Sequence, residues 1–293
     1  MTIPTPSTLD DATEATDVAP TALDPTSAIL AAVRAATPLV HCMTNTVVPE
    51  ITANVLLAAG AAPAMIDLPE EAAIFATVAS ALLINVGNGL SEQHEGMRRA
   101  AAAADGAGTP WVLDPVAVGA LPVRTQLARD LLAHRPTTIR GNASEILGLA
   151  GASGGGRGVD ATDEAEAAVE TARSLAASTG AVVAISGPVD VIVSPTRTTR
   201  VTGGDPLMPL VIGTGCALGA TVAAALGATR ADGPAPHASH DAVVAAHALF
   251  GAAGLAAARE ARHPGSFRTA WLDALHALTP DEVAALVTVE EQP

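Results

Sequence analysis

The sequence contains no lysine and no tyrosine, and it has only three phenylalanines and two tryptophans. Without lysine the chain cannot build a P-loop, whose Lys contacts the β- and γ-phosphates, or a Schiff base. Aromatic residues at 2% are too few for the stacking platforms that hold single-stranded nucleic acid. The 15 basic residues, all arginine, face 30 acidic ones, which gives a net charge of −15. Because such a chain repels phosphate backbones, we expect no nucleic-acid partner.

Cysteine is also scarce. The two cysteines, Cys42 and Cys216, are far apart in a chain of 293 residues. A disulfide framework or a zinc site needs more ligands at shorter spacing, so neither is predicted. A cytoplasmic location is the expectation that follows.

The composition of the N-terminal segment argues against a signal peptide, and that of a long uncharged segment argues against a membrane span. Residues 1–27 are rich in Thr, Pro and Asp and contain no basic residue, so they lack the charged start and apolar core of a signal peptide. We predict a disordered acidic tail there. Between Asp205 and Arg230 no residue is charged, but glycines and prolines interrupt the apolar residues. This favours a buried core segment, and no membrane partner is expected.

Residues 28–293 are predicted to form a single α/β domain. Apolar residues make up 49% of the sequence, which is enough for a sizeable core. From Pro38 onward, short β-branched runs alternate with longer alanine-rich stretches of helical spacing, the pattern of βα units in a mostly parallel sheet. Strands are predicted at residues 39–43, 64–66, 82–86, 111–114, 138–140 and 181–186. A hairpin of residues 190–193 and 199–201 predicts a switch to antiparallel pairing.

Helices are predicted around these strands. One follows the glycine-rich loop 151–158 and covers residues 162–178. The last four cover residues 215–226, 241–261, 266–277 and 280–287. Their high alanine content indicates closely packed helices.

The motif Gly213-Thr214-Gly215-Cys216 follows an apolar run and opens an alanine-rich helix. A helix N-terminus presents free N–H groups and partial positive charge to an anion, so this turn is a candidate phosphate site. The same field predicts a lowered pKa for the Cys216 thiol. A tight helix entry with a core cysteine would explain the same residues.

Residues 139–145 (IRGNASE) end a predicted strand in Arg140 and pass into a helix. Asn142 and Glu145 have the spacing of a capping box at the start of that helix. The alternative interpretation is that Asn142 and Glu145 organise Mg²⁺ and its waters around a nucleotide, with Arg140 on the phosphates.

Two more strand ends carry polar residues. Asp114 ends the predicted strand 111–114, at the edge where open α/β sheets bind ligands, although Asp before Pro is also a common turn former. Residues 40–46 (VHCMTNT) could form a capped turn or a substrate lip. Met65, in the run Ala-Ala-Pro-Ala-Met, would on general grounds belong to the core.

Eight ordered blocks together resemble the hydroxyethylthiazole kinase family, ribokinase-like enzymes of thiamine salvage. The resemblance is collinear from about Pro38 to the last helix and rests on residues 38–45, 60–65, 83–87, 113–119, 139–145, 156–160, 203–205 and 213–216. It implies a three-layer αβα ribokinase-like fold with a mostly parallel central sheet. It also implies Mg²⁺-dependent transfer of phosphate from ATP to the primary alcohol of 4-methyl-5-(2-hydroxyethyl)thiazole, by a homotrimer with active sites between subunits.

The resemblance further implies individual roles. These are thiazole contacts for Asn45, Met65 and Gly213, ATP contacts for Arg140 and Ser186, Mg²⁺ binding for Asp114 and Glu145, and catalysis for Cys216. At Ser186 the family commonly has Thr, and the serine keeps the hydroxyl. Where Cys216 stands, other ribokinase-like enzymes usually have Asp. The motif therefore favours a thiazole kinase over hydroxymethylpyrimidine kinase, pyridoxal kinase and an ADP-dependent dehydratase of damaged nicotinamide cofactors, which remain the alternatives beside a non-catalytic nucleotide sensor.

Overall fold

A computed structural model of the chain describes residues 24–151, 161–230 and 238–292. Most of the predicted acidic tail, nearly all of the glycine-rich loop 151–158 and the block 156–160 lie outside the described residues. Within them, Asp24 caps helix α1 (Pro25–Ala36) by accepting a hydrogen bond from the Thr26 N–H at 2.8 Å. Residues 25–27, which the prediction assigns to the tail, belong to this helix instead, because Asp followed by Pro is a good helix start.

The middle layer, over the described residues, is one nine-stranded sheet. Its parallel strands are β1 (Leu39–Met43), β2 (Ala62–Ala64), β3 (Ala81–Asn85), β4 (Trp111–Asp114), β5 (Thr138–Asn142) and β6 (Val182–Ser186). Three antiparallel strands follow: β7 (Val189–Val193), β8 (Thr198–Thr202) and β9 (Thr288–Gln292). The spatial order is β2-β1-β3-β4-β5-β6-β7-β8-β9. The mostly parallel sheet and the later antiparallel hairpin are confirmed.

Two strands differ most from the prediction, while the bounds of several others shift by one or two residues. β2 was expected at residues 64–66 but covers Ala62–Ala64, because the Ile66 carbonyl oxygen instead lies 2.6 Å from Nε2 of buried His41. β9 was not predicted. Its side chains are mostly exposed, so it has no apolar alternation to mark it, and it is held at the sheet edge by pairing with β8 and by the ion pair between Arg197 and Glu291.

Helices cover both faces of the sheet. With α1, one face carries α2 (Pro49–Ala59), α8 (Thr214–Thr229), α9 (Ala238–Glu260), α10 (Pro264–Ala277) and α11 (Pro280–Leu286). The other carries α3 (Pro69–Val78), α4 (Ser91–Ala107), α5 (Pro122–Leu131), α6 (Ala143–Ala150) and α7 (Ala161–Thr179). Each layer packs its own apolar core on the sheet, so the predicted three-layer αβα architecture is confirmed.

Helix α8 positions the candidate site. Twelve of its 16 residues are buried, which confirms the core prediction for this part of the uncharged stretch. Before the helix, Leu210 and Ile212 are exposed, so the prediction is wrong for that part. Helix α8 crosses the sheet so closely that a side-chain carbon at Gly219 would lie 3.0 Å from Leu83 on β3 and 3.6 Å from Asp114 on β4. Over the part of the chain that the structure describes, one helix, Ser239–Glu260, is long and apolar enough to cross a membrane, but 72% of its most apolar 18 residues are buried inside the protein.

Candidate active site

The carboxyl ends of the parallel strands and the N-terminus of α8 meet at one edge of the sheet. Asn85 and Asp114 are the last residues of β3 and β4, and both are fully buried. Asn45 follows β1 by two residues, and Arg140 lies within β5 with 7% of its surface exposed. Cys216 stands in the first turn of α8. The edge predicted for ligand binding is therefore where these residues lie.

A chain of hydrogen bonds joins three of these strand ends. Asn45 Nδ2 donates to Asn85 Oδ1 at 3.1 Å and also lies 3.4 Å from Cys216 Sγ. Asn85 Nδ2 donates to Asp114 Oδ2 at 2.7 Å. Asn45, Asp114 and Cys216, singled out from separate motifs, thus belong to one network, which orients the two carboxamides and the thiol relative to one another.

Asn85 is the site residue that sequence reasoning missed. It lies inside the matched block 83–87, where the resemblance implies no role for it, although it ends a strand just as Asp114 does. Its Oδ1 also accepts a hydrogen bond from the Gly87 N–H at 3.0 Å, which fixes the turn after β3. A polar residue at the end of an otherwise apolar strand was the available signal.

Arg140 is held by groups from three other elements. Its Nε and Nη2 donate to Ser186 Oγ at 3.0 and 2.7 Å, and its Nη1 donates to the Gly215 carbonyl oxygen at 2.9 Å. Nη1 also lies 3.7 Å from Asp114 Oδ2. The two predicted ATP-binding residues, Arg140 and Ser186, therefore contact each other, and the guanidinium lies against the first turn of α8.

Asp114 carries an unusual carboxyl group. Complete burial raises its pKa from 3.8 to about 7, and the negative charge of Glu145 adds to this, while Arg140 and the hydrogen bond from Asn85 act in the opposite direction. Its Oδ1 is buried and has no hydrogen-bond partner among the described residues. A buried carboxyl with one free oxygen is costly, which is typical of a functional site.

The pKa of the Cys216 thiol is raised, not lowered as the helix field predicted. Burial is the main cause, and the negative charge of Asp114 adds to it. Hydrogen bonds from Asn85 and Asn45 and the charge of Arg140 favour the thiolate without outweighing those two effects. The prediction considered the helix N-terminus and could not include a buried carboxyl packed under the same turn. At neutral pH Cys216 is therefore a thiol.

Gly213 sets the entry to α8. Its φ of 92° lies in the left-handed region, and a side-chain carbon there would stand 2.4 Å from Ile51 on α2. Only glycine fits both constraints. No side chain caps this helix start, so its first N–H groups can face an anion.

Asn142 and Glu145 form the predicted capping box, with Asn142 Oδ1 accepting from the Glu145 N–H and Glu145 Oε2 accepting from the Asn142 N–H, each at 2.9 Å. Glu145 Oε1 also accepts from the N–H of Ala117, whose φ of 56° is left-handed. Glu145 therefore ties the loop after β4 to α6. Among residues 24–151, 161–230 and 238–292, no group of three or more His, Cys, Asp or Glu side chains could hold a metal ion.

Met65 does not belong to the core, contrary to the general expectation. It follows the edge strand β2 directly and is 39% exposed. A side chain just beyond an edge strand packs on its inner side only, which accounts for the exposure. It makes none of the hydrogen bonds of the network. The strand before it, β2, pairs with β1, and Asn45 follows the carboxyl end of β1.

The site combines groups that can bind an anion with groups that can bind a hydroxyl, an arrangement that suits transfer of a charged group to an alcohol. The free N–H groups of α8 and the Arg140 guanidinium provide positive potential without lysine. The Cys216 thiol is partly exposed beside Asn45 and can hold a hydroxyl group. Such preorganised donors stabilise charge that develops during a reaction.

The burial of Asp114 predicts a pH dependence of stability. Because its folded-state pKa of about 7 lies above its ordinary value of 3.8, the folded state keeps a proton that the unfolded chain releases, and stability falls as pH rises across this window. From about pH 5 to pH 8 the free energy of unfolding should decrease in wild type. This decrease should be larger than the one in Asp114→Asn by on the order of 2 kcal/mol. Urea unfolding at both pH values measures this; parallel losses in the two proteins would contradict the assignment.

Comparison with known proteins identifies the family. A sequence model described as the hydroxyethylthiazole kinase family matches residues 30–281. The chain is 57% identical over 262 residues to a hydroxyethylthiazole kinase of Corynebacterium glutamicum (strain R), covering 89% of this chain and 97% of that protein. Among solved structures, the hydroxyethylthiazole kinase protein from Pyrococcus horikoshii OT3 has a TM-score of 0.81 at 32% identity, covering 92% of this chain and 99% of that chain.

A more distant structure shows the breadth of the fold. A ribokinase-like superfamily protein from Enterococcus faecalis V583 has a TM-score of 0.58 at 14% identity, covering 81% of this chain and 86% of that chain. The ribokinase-like fold implied by the resemblance is thereby confirmed. The family match spans Asn45, Asp114, Arg140 and Cys216, and this chain belongs to the hydroxyethylthiazole kinase family.

Proposed function

We propose that this chain transfers the γ-phosphoryl group of ATP to the primary alcohol of 4-methyl-5-(2-hydroxyethyl)thiazole, as a step of thiamine salvage. The observation that carries the proposal is the convergence of Cys216, Asn45 and Arg140 at the N-terminus of α8 in a member of this family. Arg140 meets Gly215 of the same turn at 2.9 Å, and Asn45 lies 3.4 Å from the thiol. A phosphate site and an alcohol site would thus share one helix start.

The phosphates of ATP would lie at the first turn of α8. Phosphoryl transfer depends mainly on alignment and on neutralising charge over the transferred oxygens. Arg140 is preorganised for this role, since Ser186, Gly215 and Asp114 restrict its guanidinium before any ligand arrives. Ser186 acts on the nucleotide through Arg140 and offers its own hydroxyl at the strand end.

The residues present fit a Mg²⁺ ion held largely through water and phosphate. Mg²⁺ keeps several waters and takes one or two carboxylates besides the substrate phosphates. The unpartnered Oδ1 of Asp114 can accept a hydrogen bond from such a water, and Glu145 lies near enough to raise the pKa of Asp114. When bound, Mg²⁺ would neutralise charge on the phosphates. Asp114 and Glu145 therefore keep the role implied by the resemblance, as part of this proposal.

The thiazole would lie beside Cys216, with contacts from Asn45, Met65 and Gly213. The thiol would hold the substrate hydroxyl in line with the phosphorus atom. Because its pKa is raised, only a small thiolate fraction of Cys216 can accept the hydroxyl proton at neutral pH, and a base gives modest help in a loose transition state. Cys216 would thus orient the alcohol mainly as a thiol, and its thiolate form would accept the hydroxyl proton as bond formation proceeds.

We propose a cytoplasmic homotrimer with active sites between subunits. Exposed apolar side chains beside the site support this: Val47 and Ile212, which are 54% and 65% exposed, adjoin the contact between Val48 and Gly213. Apolar patches of this kind mark protein interfaces, and another subunit covering them would close the thiazole pocket. Sedimentation equilibrium of the full chain measures the assembly, and a monomer would contradict it; cell fractionation tests the location.

The substrate assignment predicts the outcome of one assay. With Mg²⁺, the protein should consume ATP in the presence of 4-methyl-5-(2-hydroxyethyl)thiazole, and kcat/KM should be at least about 100-fold lower with the hydroxymethylpyrimidine alcohol or with pyridoxal. Without Mg²⁺ turnover should be lost. No phosphorylation of the thiazole would overturn the proposal, and preferential turnover of either rival alcohol would replace it with that activity.

The role of Cys216 predicts a graded response to substitution. Cys216→Ala should lower kcat about tenfold to 100-fold, within the range for an assisting group. Cys216→Asp, which keeps a proton acceptor, should retain more activity than the alanine variant. Steady-state kinetics with saturating thiazole provide the test. An unchanged kcat in Cys216→Ala, or equal losses in both variants, would reject the proton-acceptor role.

A further inference from the structure

A buried polar pair lies behind the site and takes no part in the network described so far. Asp190 lies on β7 and His247 on α9. His247 Nδ1 lies 2.6 Å from Asp190 Oδ2, with the histidine side chain fully buried and that of the aspartate 20% exposed. The carboxylate can only accept, so the ring donates from Nδ1. Nε2 of His247 has no hydrogen-bond partner among the described residues.

The second oxygen of Asp190 holds the turn between β6 and β7. Asp190 Oδ1 accepts a hydrogen bond from the Gly187 N–H at 2.9 Å. Gly187 directly follows Ser186, whose hydroxyl accepts two hydrogen bonds from Arg140. His247 is therefore linked through Asp190 and this turn to the serine that orients the guanidinium.

The face of helix α9 that carries His247 also holds a second chain segment near the site. One turn beyond His247, Gly251 accepts a hydrogen bond from the Gly204 N–H at 2.9 Å. A side-chain carbon at Gly251 would stand 3.2 Å from Gly203, so a small residue is needed for this approach. The loop held there leads through residues 205–212 to Gly213 at the start of α8. Two of the segments that frame the proposed nucleotide site thus rest on one helix.

The burial of this pair is hard to explain by stability alone. A buried pair of a carboxylate and an imidazole contributes little over well-packed apolar residues of similar volume, and an unpartnered ring nitrogen adds a further cost. The pKa of Asp190 is lowered even though burial opposes this, because the charge and hydrogen bond of His247, the Gly187 N–H and the charge of Arg140 outweigh it. Asp190 is therefore an anion with two fixed partners.

We infer that Asp190 and His247 are positioning residues for the nucleotide: they fix the β6–β7 turn so that Ser186 holds Arg140 at the first turn of α8. The inference rests on the proposed function in that ATP is the ligand of this turn. It assigns no contact between either residue and the thiazole.

The test compares His247→Leu with a matched control on the same helix. His240 is also buried, and its Nε2 lies 2.8 Å from Thr199 Oγ1, near the opposite end of the β7–β8 hairpin. Affinity for ATP with Mg²⁺, measured by calorimetry without thiazole, should fall about tenfold in His247→Leu and less than about twofold in His240→Leu, as expected for loss of one charge-assisted hydrogen bond. Thermal melting should show similar stability losses in both.

Two further variants separate positioning from general damage. His247→Asn keeps a donor near the position of Nδ1 and should restore ATP affinity to within about threefold of wild type. Asp190→Ala should weaken ATP binding as His247→Leu does, and it serves in its place if the leucine variant fails to fold. In steady-state kinetics, KM for ATP should rise while kcat and KM for the thiazole change less than about twofold.

Several results would overturn the inference. One is an ATP affinity in His247→Leu or Asp190→Ala equal to that of wild type, and another is an equal loss of ATP affinity in His247→Leu and His240→Leu. The others are that His247→Asn does not restore ATP affinity or that wild type does not bind ATP. Calorimetry needs no turnover, so the two proposals can fail separately. If the protein is inactive on the thiazole but the variants change ATP affinity as expected, the substrate assignment is rejected and the positioning role is supported.

Discussion

The buried guanidinium of Arg140 is the interaction on which the site depends. Removing a charge from water costs several kcal/mol unless partners replace the lost hydration. Here the partners come from β4, β6 and α8, through Asp114, Ser186 and the Gly215 carbonyl. Any shift of one of these elements would leave the charge or a partner unsatisfied, so the guanidinium holds the strand ends and the helix start in register.

The small residues of α8 make this arrangement possible. The helix lies close to β3 and β4 at Gly219, and its entry turn packs on α2 at Gly213. Its uncapped N-terminus therefore reaches the edge of the sheet where Asn85 and Asp114 end their strands. The same packing has two electrostatic consequences. The uncapped turn is favourable for an anion, whereas burial of the thiol, together with the charge of Asp114, keeps Cys216 protonated. The proposed phosphate site and the protonated thiol thus depend on one helix start.

The layer architecture could be predicted, as could most of the residues that meet at the candidate site, because both depend on local patterns. Alternating apolar runs marked the strands, and strand-end polarity marked Asp114, Arg140 and Asn45. The capping box of Asn142 and Glu145 was readable from spacing alone. The family resemblance added the roles and the substrate, which no pattern of polarity contains.

What could not be predicted depends on contacts between distant segments. The raised pKa of Cys216 comes mainly from burial of the thiol and in addition from the charge of Asp114, about a hundred residues earlier in the chain. The mutual contact of Arg140 and Ser186 requires the pairing of β5 with β6. β9 and the exposure of Met65 result from positions at sheet edges, and the pairing of Asp190 with His247 requires α9 to cross β7. None of these residues carries a local signal of its partner.

The most direct measurement of the central claim is the kinetics of Arg140→Lys. An ammonium keeps the charge but cannot bind Ser186 and Gly215 with a planar fork. Arg140→Lys should unfold as cooperatively as wild type and lose about 100-fold or more in kcat/KM for ATP. Arg129→Lys, which changes an arginine bound to the Gly148 and Leu149 carbonyls on the surface, should have little effect. A kcat/KM for Arg140→Lys within about threefold of wild type would contradict the account.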